Sequence, residues 1–244
     1  MSKVYQTFNL PGEEYYKLNG NPIEPISLCN LSIKEIKFFK ALARSGDLEQ
    51  FVDNLLSNTS QTKFNVDRLV VGDRIFLFYM LRALTFGKDY SFKTICSGCF
   101  QPLEFDVDIF EMNKKTFDPS LSNPIKKTLK SGITLDFILP TREIEKQVIV
   151  ETKTYKNEFP AGEPPDTLFL AKRIIKSVNG DNDPMNVYKY VEDMPLLDWF
   201  ELDEYIQKVS PGLDLDLVIT CDSCGKENKE KLSPYPDEFF RITT

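Results

Sequence analysis

Cys96-Ser-Gly-Cys99 and Cys221-Asp-Ser-Cys224 decide how this chain is read. Two cysteines separated by two residues can turn both thiolates toward one tetrahedral metal ion. The tight backbone turn between them favours small residues or Gly between or just after the ligands and directs N–H groups at the sulfurs. Gly98 lies inside the first pair and Gly225 follows the second. Outward from each pair the sequence alternates as strands do. Tyr90-Ser-Phe-Lys-Thr-Ile-Cys96 leads into the first turn, and Leu103-Glu-Phe-Asp-Val-Asp-Ile109 leads out of it. Leu213 to Cys221 alternates into the second turn, with a polar return strand from Lys226 to Leu232.

Strand, CxxC, strand, occurring twice, is the pattern of a zinc ribbon, but ordinary ribbons place their two turns about 15–20 residues apart, against roughly 120 here. Each pair read alone could be a disulfide or redox couple, or the pairs could be unrelated buried cysteines. The identical spacing and matching hairpins favour one shared site, with Cys96, Cys99, Cys221 and Cys224 binding a single zinc ion per chain. Four thiolates leave no open position for water, so the predicted role is structural and not catalytic. Cys29, in Pro25-Ile-Ser-Leu-Cys29, reads as a small apolar residue.

Composition narrows the function classes. Of 244 residues 41% are hydrophobic, enough for a core, and none is histidine. That zero excludes Ser-His-Asp and Cys-His nucleophilic machinery, HExxH metalloproteases and His-ligated metal sites. No Gly-rich phosphate loop occurs, and no enzymatic activity or small-molecule substrate is expected. Asp181-Asn-Asp183 superficially resembles a calcium loop with Glu192 in twelfth position, yet its sixth position is Asn186 where Gly is needed, so it reads as a turn. The formal charge of −7 and pI near 4.9 argue against a sequence-blind nucleic-acid binder. The N-terminus lacks the apolar core of a signal peptide, and no apolar run approaches the ~20 residues that span a bilayer. No membrane partner is expected.

Three segments are predicted, together an α+β fold. Residues 1–31 read as an extended arm: Pro11-Gly12, Gly20-Asn-Pro22 and Pro25 are turn signals, and Tyr5, Phe8, Leu10, Tyr15 and Tyr16 are sparse anchors for docking on a partner. Residues 32–89 read as a small helical domain. Ser32 and Glu35 form a capping box, with Ile33, Ile36, Phe39 and Ala43 at helical spacing. Leu48–Leu56 is a second short helix, and the stretch from Arg74 to Phe86, closed by Gly87, is apolar almost all round and predicts the buried centre. Arg74 and Arg82 are read as snorkelling to the surface, with pairing to an acidic partner as the alternative. Residues 90–244 form the split ribbon around an insertion at 112–212. The insertion begins with a linker at 112–124 and continues with a hairpin turning at Ser131-Gly132. Helices at Arg142–Lys153, Thr167–Ser177 and Leu196–Val209 follow.

These blocks, in this order, resemble the T4-like (T-even-type) bacteriophage baseplate hub and hub assembly proteins. Asn9-Leu-Pro-Gly-Glu-Glu-Tyr-Tyr16, followed by Ile26-Ser-Leu28, is similar to that family's opening, although Gly12 stands where the family pattern has Ser with its Gly later. Val71-Gly-Asp-Arg-Ile-Phe-Leu-Phe-Tyr-Met-Leu-Arg82, Thr85-Phe-Gly87, Tyr90 and the first CxxC resemble its middle block, and Gly212 to Gly225 its closing block. The resemblance implies a structural or assembly protein of the tail baseplate hub, located in the virion or in the host cytoplasm during assembly. It implies other baseplate or tail proteins as partners. The competing reading is a zinc-ribbon module of a transcription or replication complex; Lys/Arg density beside both knuckles is low, and Lys226, Lys229 and Lys231 leave it a small opening.

Overall fold

A computed structural model describes residues 3–35 and 48–234. Residues 3–31 are not an extended arm. Strand β1 (Tyr5–Phe8) pairs antiparallel with β2 (Ile26–Cys29), placing Tyr5 opposite Cys29, and helix α1 (Glu13–Leu18) lies between them in sequence. Phe8, Leu10, Tyr15, Tyr16, Ile26 and Leu28 are all buried. Of the five anchors Tyr5 stays exposed, while Phe8, Leu10, Tyr15 and Tyr16, too sparse to build a core alone, are inserted into one supplied by later segments. The Pro and Gly signals mark the corners of this return and do not spread the chain out.

The capping box at the next helix is in place: the Ser32 N–H donates to Glu35 Oε2 at 2.6 Å and the Glu35 N–H to Ser32 Oγ at 3.4 Å. The expected body of that helix, with Ile36, Phe39 and Ala43, lies outside the described residues. Helix α2 (Leu48–Thr59) and helix α3 (Val71–Phe86) follow. Phe76 to Leu81 are at most 1% exposed, as expected of a helix that is apolar all round. Each buried Phe or Leu contributes roughly 1.5–3 kcal/mol, so α3 is the axis on which the remaining elements pack. It ends at Gly87, whose φ of +99° suits the glycine that stops it.

Arg74 does not snorkel. It is fully buried, and its guanidinium donates to Asp53 Oδ1 at 3.1 Å, to Glu145 Oε2 at 3.2 Å and to Glu49. Arg142, 2% exposed, donates through Nε to Asp53 Oδ2 at 2.7 Å. Asp53 thus bridges two buried cations, the arrangement that makes burying charge tolerable. Arg82 instead lies over the Phe86 and Tyr90 rings, 5.8 and 5.5 Å from their centroids.

Two hairpins follow α3 in the next part of the chain. The first is β3 (Asp89–Ile95) with β4 (Pro102–Asp108). The expected linker at 112–124 is packed: Met112 and Phe117 are buried, and the Tyr15 and Phe117 rings meet at 5.2 Å. Its β5 (Lys114–Lys115) later pairs with β9 (Gly212–Leu213). The predicted hairpin is present as β6 (Ile125–Thr128) and β7 (Thr134–Phe137).

After helix α4 (Arg142–Glu158), the helix expected to reach Ser177 stops early. Helix α5 covers Asp166–Ile174, and Ile175–Val178 becomes β8, the third strand of the β6-β7-β8 sheet. Ile175 and Val178 are β-branched and pair with Phe137 and Leu135, so the sheet edge takes them from the helix. Helix α6 (Pro184–Glu192) was not foreseen. Asp183 caps it, accepting the N–H groups of Met185 at 2.9 Å and Asn186 at 3.3 Å. The calcium-like string is therefore a turn that starts a helix, with Pro at its first position. Helix α7 (Leu196–Val209) leads to β9 and the second ribbon hairpin, β10 (Asp216–Thr220) with β11 (Glu227–Lys231).

One buried cluster runs from Phe8 to Leu232 through all three predicted segments. The segments around Gly12 and Pro211 both meet α3 at its first turn. A Cβ on Gly72 would lie 1.8 Å from the Pro211 carbonyl oxygen, and one on Gly12 would lie 2.3 Å from Asp73 Oδ2. Glycine is required at both places by proximity alone. The fold is α+β, with a four-cysteine cluster at the end where the two ribbon hairpins meet.

Candidate metal centre

The tips of the β3-β4 and β10-β11 hairpins are brought together across 136 positions by Thr94, which donates to Glu230 Oε1 at 2.8 Å. A small separate core of Leu103 and Ile219, with Phe92, Phe105 and Leu217 beside it, fills the space beneath. On top of it sit all four predicted cysteines.

Their local turns are copies of each other. In the first, the Cys96 N–H donates to the Gln101 carbonyl at 2.9 Å and the Phe100 N–H to the Cys96 carbonyl at 3.0 Å. In the second, the Cys221 N–H donates to Lys226 at 2.9 Å and the Gly225 N–H to Cys221 at 2.8 Å. The fifth residue of each turn has a left-handed backbone, φ +72° at Gly225 and φ +59° at Phe100. Sequence alone pointed to Gly98 as the special residue of the first turn, yet the conformational demand falls on Phe100. Gly98 is favoured for another reason: a Cβ there would come 2.8 Å from Lys226 Cδ and 3.4 Å from Cys224 Sγ of the opposite turn.

The four sulfurs lie within 4.8 Å of one another. Cys96 Sγ is 3.7 Å from Cys224 Sγ, and Cys99 Sγ is 3.6 Å from Cys221 Sγ. A tetrahedron of sulfurs about 2.3 Å from a central ion has edges of roughly 3.8 Å, close to both distances. All four are free thiols, and a disulfide's sulfurs sit at about 2.05 Å. The donor set fits a metal ion. Cys96 and Cys221 are buried, Cys99 is half-buried and Cys224 is exposed, which leaves one side for an ion to enter.

Asn228 supports the site from behind and was not anticipated. Only 3% exposed on the otherwise polar β11, it donates to the Lys226 carbonyl at 3.0 Å and lies 3.7 Å from Cys96 Sγ. Its Oδ1 accepts the Ser97 N–H at 2.8 Å, locking the first turn to the second hairpin. Nothing in the string Glu227-Asn-Lys-Glu-Lys231 distinguishes this residue, because its burial depends on a hairpin more than a hundred positions away.

The sulfurs titrate unequally. The N–H groups of Cys99 and Gly98, with the Asn228 amide further off, bring the Cys96 thiol down to about 6. At Cys224 the Lys226 N–H draws the other way, but the neighbouring sulfurs Cys99, Cys96 and Cys221 push it up to about 12. Anions this close oppose the ionisation of the last thiol. A divalent cation at the centre is what would let all four be thiolates together. Sulfur-only tetrahedra of this kind suit zinc or iron. Cys29 is buried in β2, away from this cluster.

The family model described as T4 bacteriophage base plate protein matches residues 16–241, a span that holds the four cysteines, Asn228 and every element from α2 to β11. No curated protein and no solved structure matches the chain.

Proposed function

The chain belongs to the T4 bacteriophage base plate protein family, and from that premise we propose that it acts in the hub region of a contractile-tail baseplate as a zinc-stapled scaffold. Its family implies a structural role at the virion tail among other baseplate or tail proteins. The finer reading adds the hub, the identity of the metal as zinc, and passage through the host cytoplasm during assembly. Among the described residues no helix is long and apolar enough to cross a membrane.

The observation that carries the reading is the near-tetrahedral sulfur quartet inside a family match covering nearly the whole chain. With four protein ligands the coordination sphere is closed, so the metal's task is to hold two distant hairpins together and no turnover is proposed. A four-thiolate zinc site contributes apparent free energies on the order of 10 kcal/mol at neutral pH, enough to outweigh closing a loop of this length. Mass spectrometry of purified tails tests the assignment. Peptides of this chain are expected in the baseplate fraction, or else tails are expected to lack a hub when the chain is deleted. Normal tails formed without it, and without it in the particle, would overturn the reading.

A further inference from the structure

The chain carries 30 basic against 37 acidic residues, yet one open groove of about 590 Å³ has the opposite bias. It runs between the end of α1, the start of α4 and the junction of α5 with β8. Arg68, Lys172, Arg173 and Lys176 line it against a single acid, Glu143. Two of the cations are already engaged: Lys172 pairs with Glu192 at 3.0 Å, and Arg173 with Glu151 at 2.6 Å. These pairs hold the two side chains in place and balance much of their charge. Arg68 and Lys176 are exposed and have no carboxylate partner among the described residues; their side chains donate only to the carbonyls of Asn21 and Arg173. Arg173 Nε is buried with its hydrogen-bonding capacity unused. Burial, and then the nearby charge of Arg173, lowers the pKa of Lys176.

We propose that this groove binds an acidic peptide segment of a neighbouring tail protein. Its chemistry favours a peptide over a bare anion. The floor includes the apolar side chains of Ile138 and Ile144, and the wall the amides of Asn19 and Gln147. A lone phosphate would leave the apolar floor unused, whereas an extended segment alternating carboxylates with apolar residues meets cations, amides and floor at once. The inference rests on reading the chain as one that assembles with other tail proteins, but it makes no use of the metal.

The full chain is titrated into a fluorescein-labelled peptide of alternating Asp and Leu, its Asn-for-Asp counterpart, and the labelled acidic peptide in the presence of inorganic phosphate. The acidic peptide is expected to bind at least about tenfold more tightly than the Asn peptide, and less tightly as salt rises. The Arg68→Glu and Lys176→Glu variants, both at exposed positions, are expected to lose about tenfold each while keeping wild-type melting and metal content. Equal binding of the two peptides, displacement of the acidic peptide by phosphate at comparable concentration, or undiminished binding by both variants would each overturn the proposal. If the chain is present in tails and its groove still ignores acidic peptides, this inference falls and the baseplate assignment stands.

Discussion

The Tyr16 hydroxyl donates to Asp73 Oδ2 at 2.7 Å and accepts the Val70 N–H at 3.0 Å. The same carboxyl accepts the Gly12 N–H at 3.0 Å. This one contact ties the N-terminal segment to the first turn of α3, where an acid is already favoured by the helix dipole. Beside it, the Tyr15 hydroxyl accepts the Leu139 N–H at 3.1 Å and the Pro11 carbonyl accepts the Phe117 N–H. The opening string Leu10-Pro-Gly-Glu-Glu-Tyr-Tyr16 is therefore a clasp over the core, held through Pro11, Gly12, Tyr15 and Tyr16.

Asp73 makes stability depend on pH. Complete burial pushes its carboxyl up from 3.8 to about 7, despite the hydrogen bonds from Tyr16 and Gly12. The folded state therefore holds a proton that the unfolded chain releases. This stabilisation is full below about pH 4 and is lost as pH rises through about 7. Asp73→Asn should flatten the dependence: the fall in melting temperature between pH 5 and pH 8 is expected to shrink relative to wild type. Parallel curves for the two proteins would show that another group governs it.

Deleting residues 2–22 should unfold the protein. The deletion removes four buried large side chains, Phe8, Leu10, Tyr15 and Tyr16, and large-to-small changes at such positions each cost about 2–5 kcal/mol. Circular dichroism is expected to show loss of cooperative melting. A truncated chain that melts as the whole one does would mean that the segment only rests on the surface.

Gly72→Ala should be far worse than Gly98→Ala. The first Cβ meets a backbone carbonyl that cannot move without dragging β9, at a cost of about 3 kcal/mol or more. The second displaces the flexible end of Lys226 and is expected to cost about 1 kcal/mol or less. Chemical denaturation of both variants checks the order, and equal losses would contradict the packing of Pro211 over α3.

Metal analysis should give one zinc per chain after anaerobic purification, and both Cys99→Ser and Cys221→Ser should abolish it. Asn228→Ala keeps all four ligands but should weaken the metal about 10- to 100-fold in a chelator competition, through loss of its hold on Cys96 and Ser97. Loss of metal in one cysteine variant alone would refute a shared site. Chelation should expose the Glu158–Pro165 loop to protease before the α2–α3 region yields.

Phe100→Gly should stabilise the protein. Phe100 is 78% exposed, so little packing is lost, while a left-handed backbone is relieved of a strain of about 1 kcal/mol. A higher melting temperature of the metal-loaded protein is expected. A lower one would indicate that the ring makes a contact the free chain does not show.

Sequence by itself determined whatever local spacing controls. The CxxC turns and their flanking alternation are set by residues within ten positions of each other, and so were the hairpin at Ser131-Gly132 and the uniformly apolar α3. Identical spacing and matching hairpins favoured one centre for the two knuckles, and the four sulfurs do lie within 4.8 Å of one another. Tertiary structure alone decided the rest. Whether Arg74 lies in water or in the core depends on acids at positions 49, 53 and 145 closing around it. Ile175–Val178 is a strand because β7 offers an open edge, against a helical pattern that runs through it. Phe8, Leu10, Tyr15 and Tyr16 became core because α3 and Phe117 supply the surface they lack, and Asn228 became part of the candidate metal centre because Ser97 reaches it from another hairpin. In each case the deciding free energy is burial or hydrogen bonding against a partner distant in sequence, and no local pattern encodes where that partner will stand.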